Sequence, residues 1–248
     1  MTTISSSSLF HFTRKSDYLI QILQNEFRPR YYPEKIVLVS GRSIVKAIPM
    51  VCFCDIPLSQ VKEHIKTYGE YGIGLTKEWA FKNKLTPVQY LQKDSHIAVN
   101  ISNILYEFSN NLINTPELKI LRNAFVETIR NIKNYQGDFT RDGKIIKDVK
   151  FYDEREWRFI PKPVPGFDFW LEKTKYLDPL ILSAANAKTE KLKLKFEPED
   201  IKYIIVKHEN EIKPMIAALK MIKSKYTSDI VEILTTRIIT AEQIKTDF

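Results

Sequence analysis

"FYDEREWRFI", residues 151–160, sets five charges among four aromatic rings and an isoleucine. In an extended segment, successive side chains alternate between faces. Read as a strand, it places Phe151, Asp153, Arg155, Trp157 and Phe159 on one face, and Tyr152, Glu154, Glu156, Arg158 and Ile160 on the other. Trp157 and Phe159 mark the first face as buried. The second then carries two carboxylates side by side, which repel unless Arg158 and a neighbour, or a bound ligand, compensate them. The bland alternative is an exposed edge strand with Glu–Arg pairs, worth little to stability.

Working outward, "FTRDGKIIKDVK" (139–150) reads as a hairpin turning at RDGK and leading through Ile145 and Ile146 into that strand. "PKPVPGFDFW" (161–170) is a proline-rich loop. Further upstream, "SLFHFT" (8–13) reads as a first strand, with Leu9, His11 and Thr13 opposite Phe10 and Phe12. A helix opened by Ser16 or Asp17 follows, with Leu19, Leu23 and Phe27 in register. Two prolines in "FRPRYYPEK" end it. A short strand at Ile36–Val39 precedes "IPMVCFCDIP" (48–57), an apolar run that reads as a buried strand. Leu58–Tyr68 is helical. "YGEYGIGLTKEW" (68–79) holds Gly69, Gly72 and Gly74, a density that marks a turn and a strand approached closely by backbone or ligand.

Two helices, Asn100–Asn111 and Pro116–Ile132, form a helical insertion at about 96–133. The second has Thr115 as cap, Pro116 in its first turn and Leu118, Leu121, Phe125, Ile129 and Ile132 on one stripe. "LKLKFEPEDIKYIIV" (192–206) supplies a strand or two. Glu211–Tyr226 is a helix with Ile212, Met215, Leu219 and Ile222 inward, and Ile230–Leu234 reads as a closing strand. Strands and helices mix without βαβ alternation. The expectation is one α+β domain over residues 1–248, a mixed, mostly antiparallel sheet with flanking helices.

Hydrophobic residues at 44% and charged residues at 27% place the chain among ordinary globular proteins. No apolar run approaches the ~20 residues needed to cross a bilayer, so no membrane is implied. The N-terminus lacks a basic and apolar leader pattern. The two cysteines, Cys52 and Cys54, build no disulfide framework, which points to a cytoplasmic setting. A net charge of +8 suits a polyanionic partner, so nucleic acid remains a partner class, although no zinc-finger, helix-turn-helix or RNA-recognition signature appears.

The four histidines, His11, His64, His96 and His208, fall at no metal-ligand spacing, and no metal site is expected. Phosphate-loop, nucleophile-elbow and dinucleotide fingerprints are absent. His11 is either a structural hydrogen-bonder or a histidine that grips a ligand at the end of the first strand. Tyr68 and Tyr71 flank the glycines and either pack or stack on a flat ring. Glu154 and Glu156 are the most suggestive pair.

"SLFHFT", "IPMVCFCDIPLSQVKEHIKTYGEYGIGLTKEWA" and "FYDEREWRF" resemble the AbiGi family of bacterial abortive-infection proteins, over about the first two-thirds of the chain. The resemblance implies the antitoxin half of a phage-resistance pair, with a toxin protein as partner and no cofactor required. The layout is also similar to ADP-ribosyltransferases. That second resemblance implies an ADP-ribosyltransferase-like fold and an enzyme that takes NAD as substrate. Glu156 and Glu154 would be the catalytic carboxylates, with His11, Thr13, Tyr68 and Tyr71 on the NAD. A carboxylate in that chemistry stabilises the positive charge that develops as nicotinamide leaves. The readings in play are therefore an antitoxin, an NAD-consuming enzyme, and a nucleic-acid binder.

Overall fold

Alternation of apolar side chains makes Ser8–Thr13 the first strand, β1, followed by helix α1, Ser16–Asn25. Strands β2, Arg30–Val39, and β3, Arg42–Cys54, come next. Helix α2, Lys62–Tyr68, strand β4, Tyr71–Thr76, and helix α3, Lys77–Lys82, follow. After short strands β5, Thr86–Pro87, and β6, Gln89–Leu91, the chain enters helices α4, His96–Asn110, and α5, Pro116–Ile129. Strands β7, Ile132–Asn134, β8, Gly137–Arg141, β9, Lys144–Val149, and β10, Glu156–Phe159, succeed them. Then come β11, Leu171–Glu172, and helices α6, Lys173–Tyr176, and α7, Pro179–Lys188. Strand β12, Ile201–Val206, helices α8, Ile212–Ile222, and α9, Ser228–Thr235, strand β13, Ile238–Thr240, and helix α10, Ala241–Asp247, complete the order.

This computed structural model describes residues 5–110, 115–141, 143–162 and 164–247. The expectations at Asn111, at Asp142 in the hairpin turn, at Pro163 in the proline-rich loop and at the first four residues lie outside them. The architecture is α+β with mostly antiparallel strands, as expected; β12–β13 and β6–β7 are parallel pairs. No helix among the described residues is long and apolar enough to cross a membrane.

The contacts divide the chain into two compact units. The first comprises residues 1–28, 51–86 and 193–248, the second residues 29–50 and 87–192. In the first, the strand order is β13-β12-β4-β1-β3. Phe10 and Phe12 of β1 pair with Gly74 and Gly72 of β4. A Cβ on Gly74 would lie 2.7 Å from the Phe10 ring and one on Gly72 2.9 Å from the Phe12 ring. The close approach expected at these glycines is thus made by the chain's own aromatic rings. Phe10 and Phe12 then bury with Ile56, Val61, Ile65, Ile205 and Ile244 in one core.

In the second unit, β2 and β3 pair antiparallel from Arg30↔Met50 to Val39↔Arg42. Both are longer than expected, because Pro33 sits inside β2, opposite Ala47. β2 pairs with β3 alone, and an edge strand tolerates a residue without an N–H. The Asn134 carboxamide serves that edge: its Oδ1 accepts from the Val37 N–H at 2.7 Å and its Nδ2 donates to the Val37 carbonyl at 2.8 Å. Thr115 caps α5 as expected, accepting from the Leu118 N–H. The helix ends at Ile129, short of the expected Ile132, which opens β7; Ile129 and Ile132 both bury against Ile36, Leu38 and Leu91, while Leu121 of the expected stripe is exposed.

Two expectations are overturned. Ile230–Leu234 is helical within α9, because Val231 and Leu234, three residues apart, bury together; the strand follows at Ile238–Thr240. Residues 151–160 are not one strand. Phe151–Glu154 form a 3-10 turn, and Arg155 takes a left-handed conformation with φ 44° before β10 begins at Glu156. The turn breaks the alternation, so the five-residue faces do not form. The buried face of β10 is that of Glu156 and Arg158, while Trp157 and Phe159 are half-buried.

Candidate functional site

A carboxylate taken out of water needs cations or hydrogen bonds to replace hydration. Glu156, 6% exposed, receives both. Its Oε1 accepts from Arg158 Nε at 2.6 Å, and its Oε2 pairs with Lys133 Nζ at 2.8 Å. Its backbone N–H donates to the Tyr90 hydroxyl at 2.9 Å. Glu154, brought round by the turn, also reaches Lys133, at 2.5 Å. Arg158 in turn bonds Glu34 and donates through Nη1 to the Arg130 carbonyl at 3.0 Å.

The compensation the sequence required is therefore supplied from within. Arg158 is one source; the neighbour is Lys133, on β7. Burial alone would lower the Lys133 pKa, but the charges of Glu156, Glu154 and Glu34 overcome it and hold the ammonium well above its ordinary value. Burial pushes the Tyr90 phenol up to about 12, with Glu156 and Glu154 adding to the shift. The cluster fastens β2, β7 and β10 to one another through three carboxylates and two cations. Lys133, Glu34 and Tyr90 were not singled out from the sequence. They lie 21 to 124 residues away in the chain from the partners they meet, and no local pattern distinguishes them from similar residues elsewhere.

The remaining candidates belong to the first unit, and Glu154 and Glu156 to the second. His11 donates from Nδ1 to the Cys52 carbonyl at 2.8 Å, with Phe27 and Phe53 rings at 5.2 and 5.7 Å. Burial lowers its pKa against the raising effect of that hydrogen bond. Thr13 pairs across the sheet with Tyr71. Tyr71 donates its hydroxyl to Glu211 at 2.9 Å; burial, followed by that bond, raises its pKa to about 12. Tyr68 lies against the His64 ring at 4.3 Å. So His11, Thr13 and Tyr71 share the β1–β4 pair, and Tyr68 packs on its own helix. Cys54 is buried and Cys52 half-buried, and no disulfide links them. Among the described residues no group of three or more histidines, cysteines and acids could hold a metal ion.

Fold and cluster together define an α+β protein whose paired glutamates are neutralised by its own lysine and arginine. By sequence comparison, the chain belongs to the AbiGi family. Residues 25–207 match the model of the family described as "Putative abortive phage resistance protein AbiGi, antitoxin". A curated relative from Lactococcus lactis subsp. cremoris, named "Abortive phage resistance protein AbiGi", is 30% identical over 256 aligned positions. That alignment covers 90% of this chain and 99% of the relative. No solved structure matches. The matched segment contains Glu34, Lys133, Glu154, Glu156 and Arg158, whereas His11 and Thr13 precede it.

Proposed function

We propose that this chain acts in the bacterial cytoplasm, in abortive phage resistance, as the antitoxin: a protein that binds a toxin partner and holds it in check. The match across residues 25–207 carries this reading. The geometry of Glu156 fits a structural role better than a catalytic one. Both of its oxygens are held by cations of the same chain and the residue is buried, so its charge is already compensated without a ligand.

The test is to express the genes adjacent to this one as candidate toxins, with and without this chain, and to follow growth and co-purification. Rescue of growth together with a stable complex is the expected result. Undiminished toxicity in the presence of the folded chain would overturn the reading. A parallel incubation with labelled NAD addresses the ADP-ribosyltransferase alternative, in which NAD is substrate on an ADP-ribosyltransferase-like scaffold. We expect neither label transfer nor nicotinamide release. Turnover by the wild type that a still-folded Glu156→Gln variant lacks would make the chain an enzyme instead.

A further inference from the structure

Helix α7 reads PLILSAANAK and carries no charge before its last residue, Lys188. An amphipathic helix turns one stripe to the core and a polar face to water, and a helix apolar all round is ordinarily buried. The inner face of α7 follows that rule. Ala185 is buried with Tyr31, Ala47 and Leu171, Leu182 packs against them, and the Asn186 side-chain oxygen accepts from the Tyr31 N–H at 2.9 Å. The outer face departs from it. Leu180, Ala184 and Ala187, at i, i+4 and i+7, form one exposed stripe. Leu180 is 81% exposed, Ile181 beside it 42%, and Leu177, just before the helix, 64%. Single apolar side chains are ordinary at a protein surface, but a group of them rimmed by polar residues marks an interaction site.

The rim is cationic. Lys173 and Lys175 precede this face and Lys188 and Lys191 follow it; all four are exposed, and among the described residues none is in an ion pair. The acids of the same stretch are engaged. Glu172 pairs with Lys46, Asp178 caps α7 by accepting from the Leu180 and Ile181 N–H groups, and Glu190 also has a partner. The charge available to a visitor is therefore positive. Two copies of this face would bring lysine against lysine, which disfavours self-association. Ala184 and Ala187 leave a low strip that another protein's side chains can fill, whereas a helix lying on a membrane presents bulky Leu, Phe or Trp along its length.

We propose that the outer face of α7 is where the toxin partner docks, through a surface with an apolar centre and acidic margins. The assignment rests on the antitoxin reading and adds to it the contact surface and the chemistry of the partner.

The probe is the product of an adjacent gene that this chain neutralises and co-purifies with. Its binding is compared for the wild type, Leu180→Asp, the double reversal Lys188→Glu/Lys191→Glu, and Met221→Asp, at an exposed position of α8. The substituted side chains are exposed, so every thermal midpoint should stay within about 2 °C of the wild type. Leu180→Asp should weaken the complex at least about tenfold, the double reversal should slow association at least about tenfold, and Met221→Asp should change neither. Wild-type binding by either α7 variant overturns the proposal and leaves the antitoxin reading standing. If no adjacent gene product binds the wild type, the antitoxin reading falls and the docking surface with it. Binding of the wild type to phosphatidylglycerol vesicles, or a dimer on size exclusion, that Leu180→Asp abolishes would reassign the face to a membrane or to a second copy and likewise overturn the proposal.

Discussion

At the scale of single residues, Glu156 carries the largest expected effect. Glu156→Gln leaves Lys133 leaning on Glu154 and Arg158 on Glu34, with one negative charge missing from the cluster. Removing one partner of a buried ion pair costs about 3–5 kcal/mol. Urea unfolding should show a loss of that order, and a loss below about 1 kcal/mol would mean the cluster contributes little. His11 gives a pH dependence of definite sign. Its folded pKa lies below the unfolded value of about 6.5, so the unfolded chain binds the proton first. Stability should fall as pH drops through about 6.5, and the loss should level off only below the folded pKa. His11→Asn keeps a donor for the Cys52 carbonyl without the titration. The difference in urea midpoint between pH 7.5 and 5.5 should shrink in that variant, and an unchanged difference would assign the dependence to other groups.

At the scale of elements, Gly69 joins α2 to β4 with φ 127°, and a Cβ there would lie 2.2 Å from the Thr13 carbonyl oxygen. Gly69→Ala should therefore destabilise by at least about 1–3 kcal/mol, the usual cost of a backbone held where L-residues rarely go. A thermal midpoint equal to that of the wild type would contradict the geometry. Elements with local signatures were legible in the sequence: β1 from its alternation, α5 from its Thr–Pro cap, α2 and β4 from the glycine-punctuated run between them. Elements decided by distant partners were not. The rich content of β-branched residues in Ile230–Val231 points to a strand, yet burial of Val231 and Leu234 makes a helix. Pro33 looks like a breaker, yet an unpaired edge accommodates it. In the candidate site, the acidic pair and the need to compensate it were readable from Glu154, Glu156 and Arg158. Lys133 was not, because it reaches the pair through tertiary contact alone. Arg155 was misread for a related reason: nothing in its side chain announces a left-handed backbone, which in most proteins falls to glycine or asparagine.

At the scale of the whole molecule, the chain passes between its two units at residues 28/29, 50/51, 86/87 and 192/193, so neither unit is a contiguous segment. A fragment ending at Leu192 would retain all of the second unit and lose β12, the strand that pairs with β4 from Ile201↔Leu75 to Ile205↔Gly72. We expect it to expose that edge, with Ile73 and Leu75 beside it, and to elute from size exclusion as aggregate. A monodisperse monomer would show that β12 is dispensable. The same interleaving sets a timetable for synthesis. The second unit starts later than the first, yet its last residue leaves the ribosome earlier. The first unit, begun earlier, must wait with β1 and β4 already made while Lys193–Phe248 are translated, roughly 3–11 s at bacterial rates of about 5–20 residues per second. Of the two units, the one begun first is thus the one finished last.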